Sequence, residues 1–334
     1  MIGIADPYRP KPYVLDRDTA PAFWLVATLW LPLATGAQTG NRFSFIEQVM
    51  PSGLGPPTHR HPDADEGFYV LDGECAFNAE GRTYRAGPGT AIYLPRLTPH
   101  SFSVESAEAR VVNFYTPAGF ELVVMSCGRP ADERRQPSLE ESTPPSSADQ
   151  VGILSRLFGQ EGAPALPFTV PSTDALMATA PPAWSPSAPH IATAAAAPVF
   201  HALGLEWRLL AGSTDTAGTY DLFDVTVPAG GALAPRISAQ DEAVYVLEGA
   251  IDLSLDGEAR EIGVGAFSYV PAGTAVTWRA GAGGARLLVF HIPGGFDAAL
   301  TRYGGSATVP GDDEKVRAYL RAAGTRFPAF SARS

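Results

Sequence analysis

One long segment of this chain occurs twice, and that duplication limits its fold more than any other feature. The run "DEGFYVLDGECAFNAEGRTYRAGPGTAIYLP" (Asp65 to Pro95) aligns without a gap with "DEAVYVLEGAIDLSLDGEAREIGVGAFSYVP" (Asp241 to Pro271). Glu66 falls on Glu242, Gly73 on Gly249, Gly81 on Gly257, Gly89 on Gly265 and Pro95 on Pro271, each pair 176 positions apart. The offset persists to "TPAGFE" against "IPGGFD" and becomes 177 upstream, where Thr39 meets Thr216 and Glu47 meets Asp224. A single one-residue insertion or deletion near Pro51 therefore separates the copies. Stacked repeats have periods of about 20 to 50 residues, so a period this long makes each copy a whole domain. The length of 334 residues asks for two cores independently.

Within the first copy, "FYVLDGECAFNAEGRTYRAG" alternates aromatic or β-branched residues with polar ones on either side of Asp72-Gly73, which reads as a hairpin turn, and a second turn sits at Glu80-Gly81. Short strands recur through "TAIYLP", "HSFSV" and "ARVVNFYT". The 34 Gly and 31 Pro, with only 18% charged residues, suit many short strands joined by tight turns. The expected fold is all-β, with one jelly-roll-like barrel per copy.

Between the copies lie "GRPADERRQPSLEESTPPSSADQ" and "APALPFTVPSTDALMATAPPAWSPSAP", polar or Pro/Ser-rich connectors. A short helix is expected over "QVGILSRLFGQ", capped by Ser147 or Asp149, and another over "DDEKVRAYLRAAG" (Asp312 to Gly324). Both read as packing elements. The division expected is an N-terminal domain over 1–127, a linker with its short helix over 128–190, and a C-terminal domain with its helix over 191–334.

The net charge of −11 argues against a nucleic-acid partner, because phosphate binding needs a basic surface. A small molecule is the expected partner. Cys75 and Cys127 are the only cysteines, too few for a disulfide framework, so free thiols in a reducing compartment are expected. The apolar stretch Phe23 to Ala34 is short and broken by Pro32, so no membrane span is expected. No charged region followed by an apolar one opens the chain, which makes the cytoplasm the expected location. A homodimer is the base-rate assembly.

The chemistry concentrates in "GLGPPTHRHPDADEGFYVLDG". His59 and His61 are two apart, so on a strand both imidazoles share one face, and inside a barrel that face points inward. Glu66 follows after a turn, and His100 arrives from a later strand after "LPRLTPH". Three imidazoles and a carboxylate suit one divalent transition metal (Fe, Mn, Ni, Co or Cu) better than calcium or magnesium, and the absence of cysteine from the set argues against structural zinc. Of the six histidines, His190, His201 and His291 show no such spacing and read as ordinary.

Gly53 to Gly73 matches the first cupin motif, G-x5-H-x-H-x4-E-x6-G, in full, and Gly89 to His100 resembles the second. Leu97 stands where that second motif has Gly, and Val104 where it has Asn. More narrowly, "LATGAQTGNRFSFIEQVMPSGLGPPTHRHPDADEGFYVLDGE", "AGPGTAIYLPRLTPHSF" and "TPAGFE" resemble the two-domain cupins that act as flavonol (quercetin) dioxygenases. That resemblance implies an oxidoreductase that cleaves a flavonol or related enolisable aromatic with O2, with His59, His61, Glu66 and His100 as metal ligands. Glu66 would also be the base for the substrate's 3-hydroxyl, and carbon monoxide and a depside would be the products. Residues two along from a ligand share its inward face, which makes Phe68 and Phe102 candidate substrate walls, while Arg60 reads as surface and Phe77 as core.

The second copy serves as an internal control. At the 176 offset His59, His61 and His100 become Pro235, Ile237 and Val276, and only Glu242 is kept, so this barrel is expected to be metal-free, with Glu242 a hydrogen-bonded relic. Two further readings stay open. One uses the same metal as a Lewis acid for decarboxylation, isomerisation or cyclisation of a small organic acid or polyketide-type metabolite. The other is a non-enzymatic small-ligand binder, which an intact donor set disfavours.

Overall fold

A computed structural model describes residues 9–142, 148–163, 188–306 and 308–328. The proposed cap Ser147 and most of the second connector lie outside these residues. The described chain forms three antiparallel sheets. The first copy folds into two of them, facing each other as a barrel. A five-stranded sheet runs Glu161–Gly162, His59–Arg60, His100–Val104, Cys75–Ala79, Arg82–Ala86. An eight-stranded sheet has Thr28–Ala34, Ser44–Pro51, Glu108–Thr116, Asp65–Asp72 and Thr90–Leu94 at its centre. Strand alternation turns Phe68, Val70, Phe77, Phe102, Val104 and Val111 into the space between the two sheets, where they form one buried cluster. Phe77 is thus core, as its position in the sequence suggested.

The turn at Asp72-Gly73 differs from the hairpin expected. The strand before it pairs with Glu108–Thr116 and Thr90–Leu94, whereas the strand after it pairs with Arg82–Ala86 and His100–Val104. Gly73 is therefore a corner at which the chain crosses between sheets. Its φ is +78°, and a Cβ there would lie 2.3 Å from the Glu108 carbonyl oxygen, so the corner requires glycine. In the second copy the chain passes the same corner as one strand, Asp241–Leu255, bent by register shifts around Gly249. The true hairpin is at Glu80-Gly81, where Ala79 faces Arg82 and both turn residues have positive φ, as tight hairpins need.

The two barrels pack through a shared aromatic core in which Phe43, Phe45 and Phe114 meet Tyr220, Phe267 and Phe290. Flanking it, Tyr69 donates to Asp224 at 2.9 Å and Tyr245 donates to Glu47 at 2.8 Å. Arg110 pairs with Glu47 and Arg286 with Asp224, so the duplication has become a pseudo-two-fold clamp of equivalent residues. Strands are also exchanged. Tyr13–Leu15 pairs with Phe267–Val270 of the second barrel, and His190–Thr193 pairs with Thr90–Leu94 of the first.

Helices occur at Ala148–Leu157 and Asp313–Ala322, near the places expected. Asp149 falls within the first helix, while Asp312 caps the second by accepting from the Lys315 amide at 3.0 Å. Helices Glu121–Cys127 and Phe296–Tyr303, which follow "TPAGF" and "IPGG", were not expected. Phe23–Leu25 and Thr28–Ala34 are strands, and among the described residues no helix is long and apolar enough to cross a membrane. Both cysteines are free and buried.

Candidate metal centre

Four side chains meet inside the first barrel. His59 comes from a two-residue strand, His61 lies just beyond that strand, Glu66 is near the start of Asp65–Asp72, and His100 begins His100–Val104, directly opposite His59 in register. Each offers one ligand atom, all four atoms lie within 4.8 Å of one another, and all four residues are buried. Leu97, at the place where the motif has glycine, takes the left-handed conformation (φ +69°) and bonds the His61 carbonyl from its amide at 2.8 Å. The turn that orients His61 thus keeps its shape without glycine, at a cost of about 1 kcal/mol.

The hydrogen bonds test whether this group fits a cation. Each imidazole donates from Nδ1 to a backbone carbonyl: His59 to Pro57 at 3.0 Å, His61 to Gly159 at 2.9 Å and His100 to Thr98 at 2.8 Å. A carbonyl only accepts, so each Nδ1 carries a proton and each Nε2 is the ring nitrogen turned toward the other donors, the arrangement that outer partners impose on metal-ligating histidines. His61 Nε2 has no hydrogen-bond partner although it is buried and 3.2 Å from Glu66 Oε2. His100 Nε2 is 2.7 Å from the same oxygen. A contact that short between an imidazole nitrogen and a carboxylate oxygen needs a proton or a metal ion between the two atoms. The donor set therefore fits a first-row divalent metal.

The close packing of these groups shifts their ionisation. Burial, then the neighbouring His100, pushes His59 down to about 3, so it is neutral and ready to coordinate at neutral pH. Burial opposes ionisation of Glu66, but His61 and His100 outweigh it and hold the carboxyl well below its usual range. Burial likewise opposes a charge on His100, and its bond to Glu66 overcomes this and raises it.

A pocket of about 420 Å³ opens onto His59 and Glu66 of the donor set. Its walls are largely apolar, with Trp30, Met50, Phe68, Phe102 and Phe120 among them, and Gln48, Asn113 and Tyr115 supply polar atoms near Glu66. Phe68 and Phe102 both line it and at the same time belong to the barrel core. The linker, expected only to pack, forms part of the rim. Gly152, Ser155 and Arg156 of its helix border the pocket, and Glu161–Gly162 pairs with His59–Arg60 as an extra strand. Arg60 is exposed as expected, and its ion pair with Glu161 at 3.0 Å ties the linker to the ligand strand. No periodicity in the connector signalled this, because the strand it adds is two residues long. A wider depression of about 660 Å³ beside the second barrel is lined by Arg208, Glu248 and Arg286, but its arginines already pair with Glu206, Asp224 and Glu248.

At the equivalent place in the second barrel three of the four donors are gone and the space is filled. Register puts Arg236, not Pro235, opposite Val276, as His59 lies opposite His100. A register shift between Leu233 and Arg236 turns the arginine inward, whereas its sequence counterpart Arg60 points to solvent. The buried guanidinium bonds Glu242, Trp278 stands at the place of Phe102, and Arg236 lies over its ring at 5.6 Å. His291 is not an ordinary core histidine: its Nδ1 donates to Asp221 at 2.8 Å and its Nε2 lies 3.3 Å from Glu242. His190 donates to the Leu210 carbonyl instead, and His201 joins no donor cluster among the described residues.

Burial disfavours a charge on His291, but Asp221 and then Glu242 outweigh it and raise the imidazole from 6.5 to about 9. A raised folded value stabilises the protein fully below the unfolded value and is lost as pH climbs through the folded one. The stability from this group, about 3 kcal/mol, should therefore fade between pH 6.5 and 9. Urea midpoints measured across that window should fall in the native chain and stay flatter in His291→Gln; equal slopes would sink the assignment.

Comparison with known proteins agrees with this geometry. The cupin domain family matches twice, at residues 45–115 and 223–291. Quercetin 2,3-dioxygenase of Bacillus subtilis (strain 168) is 23% identical over 294 residues, covering 87% of this chain and 85% of that protein. The enzyme of the same name from Aspergillus japonicus is 25% identical over 297 residues, covering 80% and 85%. Among solved structures, Bacillus subtilis oxalate decarboxylase with its Mn(II) centres superposes with a TM-score of 0.56 at 14% identity, covering 87% of this chain and 79% of that one. At such identity the likeness is one of fold.

Proposed function

From the premise that this chain is a two-domain cupin whose first barrel alone keeps a metal donor set, we propose that it is a metal-dependent dioxygenase that cleaves a flavonol or a related enolisable aromatic with O2. The observation that carries this reading is the convergence of His59, His61, Glu66 and His100 beside an aromatic pocket of about 420 Å³ that His59 and Glu66 line, a size suited to a small planar molecule. The similarity to quercetin 2,3-dioxygenases over most of the chain supports the substrate class.

A bound divalent metal supplies Lewis acidity that acidifies a coordinated hydroxyl and stabilises the anion left behind. The chain's own residues do the rest. Trp30, Phe68, Phe102 and Phe120 hold the planar substrate by apolar contact and keep water from its reacting face. Glu66 accepts the proton of the substrate's enolic hydroxyl, and Tyr115 and Asn113, which donate to its Oε1, hold the carboxylate in place. A carboxylate of low basicity suits a proton donor that has itself been acidified, because the two affinities are then close. The rim formed by the linker helix shelters the electron-rich substrate from bulk solvent.

Quercetin offered to metal-loaded protein should draw oxygen and release carbon monoxide in equal amounts, followed by an oxygen electrode and carbon monoxide capture. No oxygen uptake with any flavonol, together with anaerobic conversion of an organic acid, would replace this reading by the Lewis-acid one.

A further inference from the structure

Beside the donors runs a chain of buried amides that ligation by itself does not need. Gln48 Nε2 donates to Asn113 Oδ1 at 2.9 Å, and Asn113 Nδ2 donates to Glu66 Oε1 at 3.0 Å and to the Gly67 carbonyl at 3.1 Å. The Tyr115 hydroxyl donates to the same Oε1 at 2.6 Å. All of these side chains are buried. Asn113 and Tyr115 are two apart on Glu108–Thr116, so both face the interior, and Tyr115 lies opposite Glu66 in register. The bond from Gln48 fixes which way the Asn113 amide faces and keeps its N–H aimed at Glu66.

The second barrel shows that the fold has no need of these groups. Its counterparts to Gln48 and Asn113 are Val225 and Val289, both buried, and His291 replaces Tyr115. Buried amides stabilise a core no better than valines unless every polar atom is paired. The polar chain therefore accompanies the metal donors and is absent where they are absent.

We propose that Asn113 and Tyr115 are positioning residues that hold Glu66 to donation through Oε2 alone and so preserve an open coordination place facing the pocket. The proposal rests on the metal centre and is independent of which substrate it serves. First-row divalent ions accept up to about six donors, so three imidazoles and one carboxylate oxygen leave about two places. If Oε1 lost both of its partners, it would be free to turn inward and occupy one of them.

Cobalt(II) is the probe for the test, with azide as the incoming ligand read by visible absorption. The native chain, Tyr115→Phe, and the double variant Asn113→Val with Tyr115→Phe should each hold one equivalent of cobalt. Azide should bind the double variant at least ~10-fold more weakly, with a weaker cobalt absorption that reports a higher coordination number, and Tyr115→Phe should fall between. Unchanged azide affinity in a fully loaded double variant overturns the proposal. So does loss of cobalt from Tyr115→Phe, which would assign the pair to holding the metal rather than keeping a place open. Should the double variant not fold, Tyr115→Phe decides alone, since it removes a single oxygen atom. A native chain that takes up no cobalt would instead undo the metal centre itself.

Discussion

His100→Ala is expected to abolish metal retention, with bound metal after dialysis falling from close to one equivalent per chain to a small fraction, and oxygen consumption on quercetin falling with it. Losing an outer partner of a ligand weakens metal sites about 10- to 100-fold, and removing a ligand should exceed that range. Three features single out His100. Its Nε2 makes the closest approach to Glu66, at 2.7 Å. Its strand directly faces His59, so its removal opens the centre of the cluster rather than its edge. Its Nδ1 is fixed by the Thr98 carbonyl, which turns Nε2 toward the centre of the cluster. His59→Ala should behave alike, and His201→Ala, which lies outside any donor cluster among the described residues, should keep the full equivalent. Elemental analysis paired with circular dichroism checks the result; a folded His100→Ala protein that retains its metal would remove the donor assignment.

Much of this centre was legible because it depends on local spacing. Two histidines two residues apart need only an extended backbone to face the same way, and Glu66 needs only the start of the next strand. The positions of Phe68 and Phe102 at the pocket follow from the same period of two. What was hidden depends on register and on long-range pairing. The offset between the copies aligned His59 with Pro235, but a shift in pairing puts Arg236 at that place, and one such slip exchanges the inner and outer faces. Asp72-Gly73 has the composition of a hairpin, yet composition cannot reveal that its flanking strands belong to different sheets. The linker's contribution was invisible for a related reason: a two-residue strand and an acceptor carbonyl at Gly159 carry no sequence pattern of their own. The pairing of Gln48 with Asn113 is likewise a cross-strand relation between residues far apart in the chain.

The same slip leads to the second large effect, expected at Arg236. In the second barrel a guanidinium stands about where the first barrel would hold its cation, and it faces the carboxylate that both copies kept. Arg236→Met removes the charge while nearly preserving volume, so its consequence is electrostatic. Glu242 would then keep only His291 as a cationic neighbour, and His291 is already engaged by Asp221. Breaking a buried pair by removing one partner destabilises by about 3–5 kcal/mol, because the remaining buried charge has lost the partner that compensates it. At about 2–4 °C per kcal/mol for a domain of this size, the midpoint of thermal unfolding should drop by roughly 10 °C. Metal content should remain one equivalent, since the first barrel is untouched. The double variant Arg236→Met with Glu242→Gln supplies the decisive comparison. It loses the same ion pair but leaves no buried carboxylate unpaired, so it should recover much of the lost stability. If the double variant were as unstable as the single one, the arginine would matter through its packing on Trp278 instead, and the idea that it serves as a built-in replacement for the metal ion would fail.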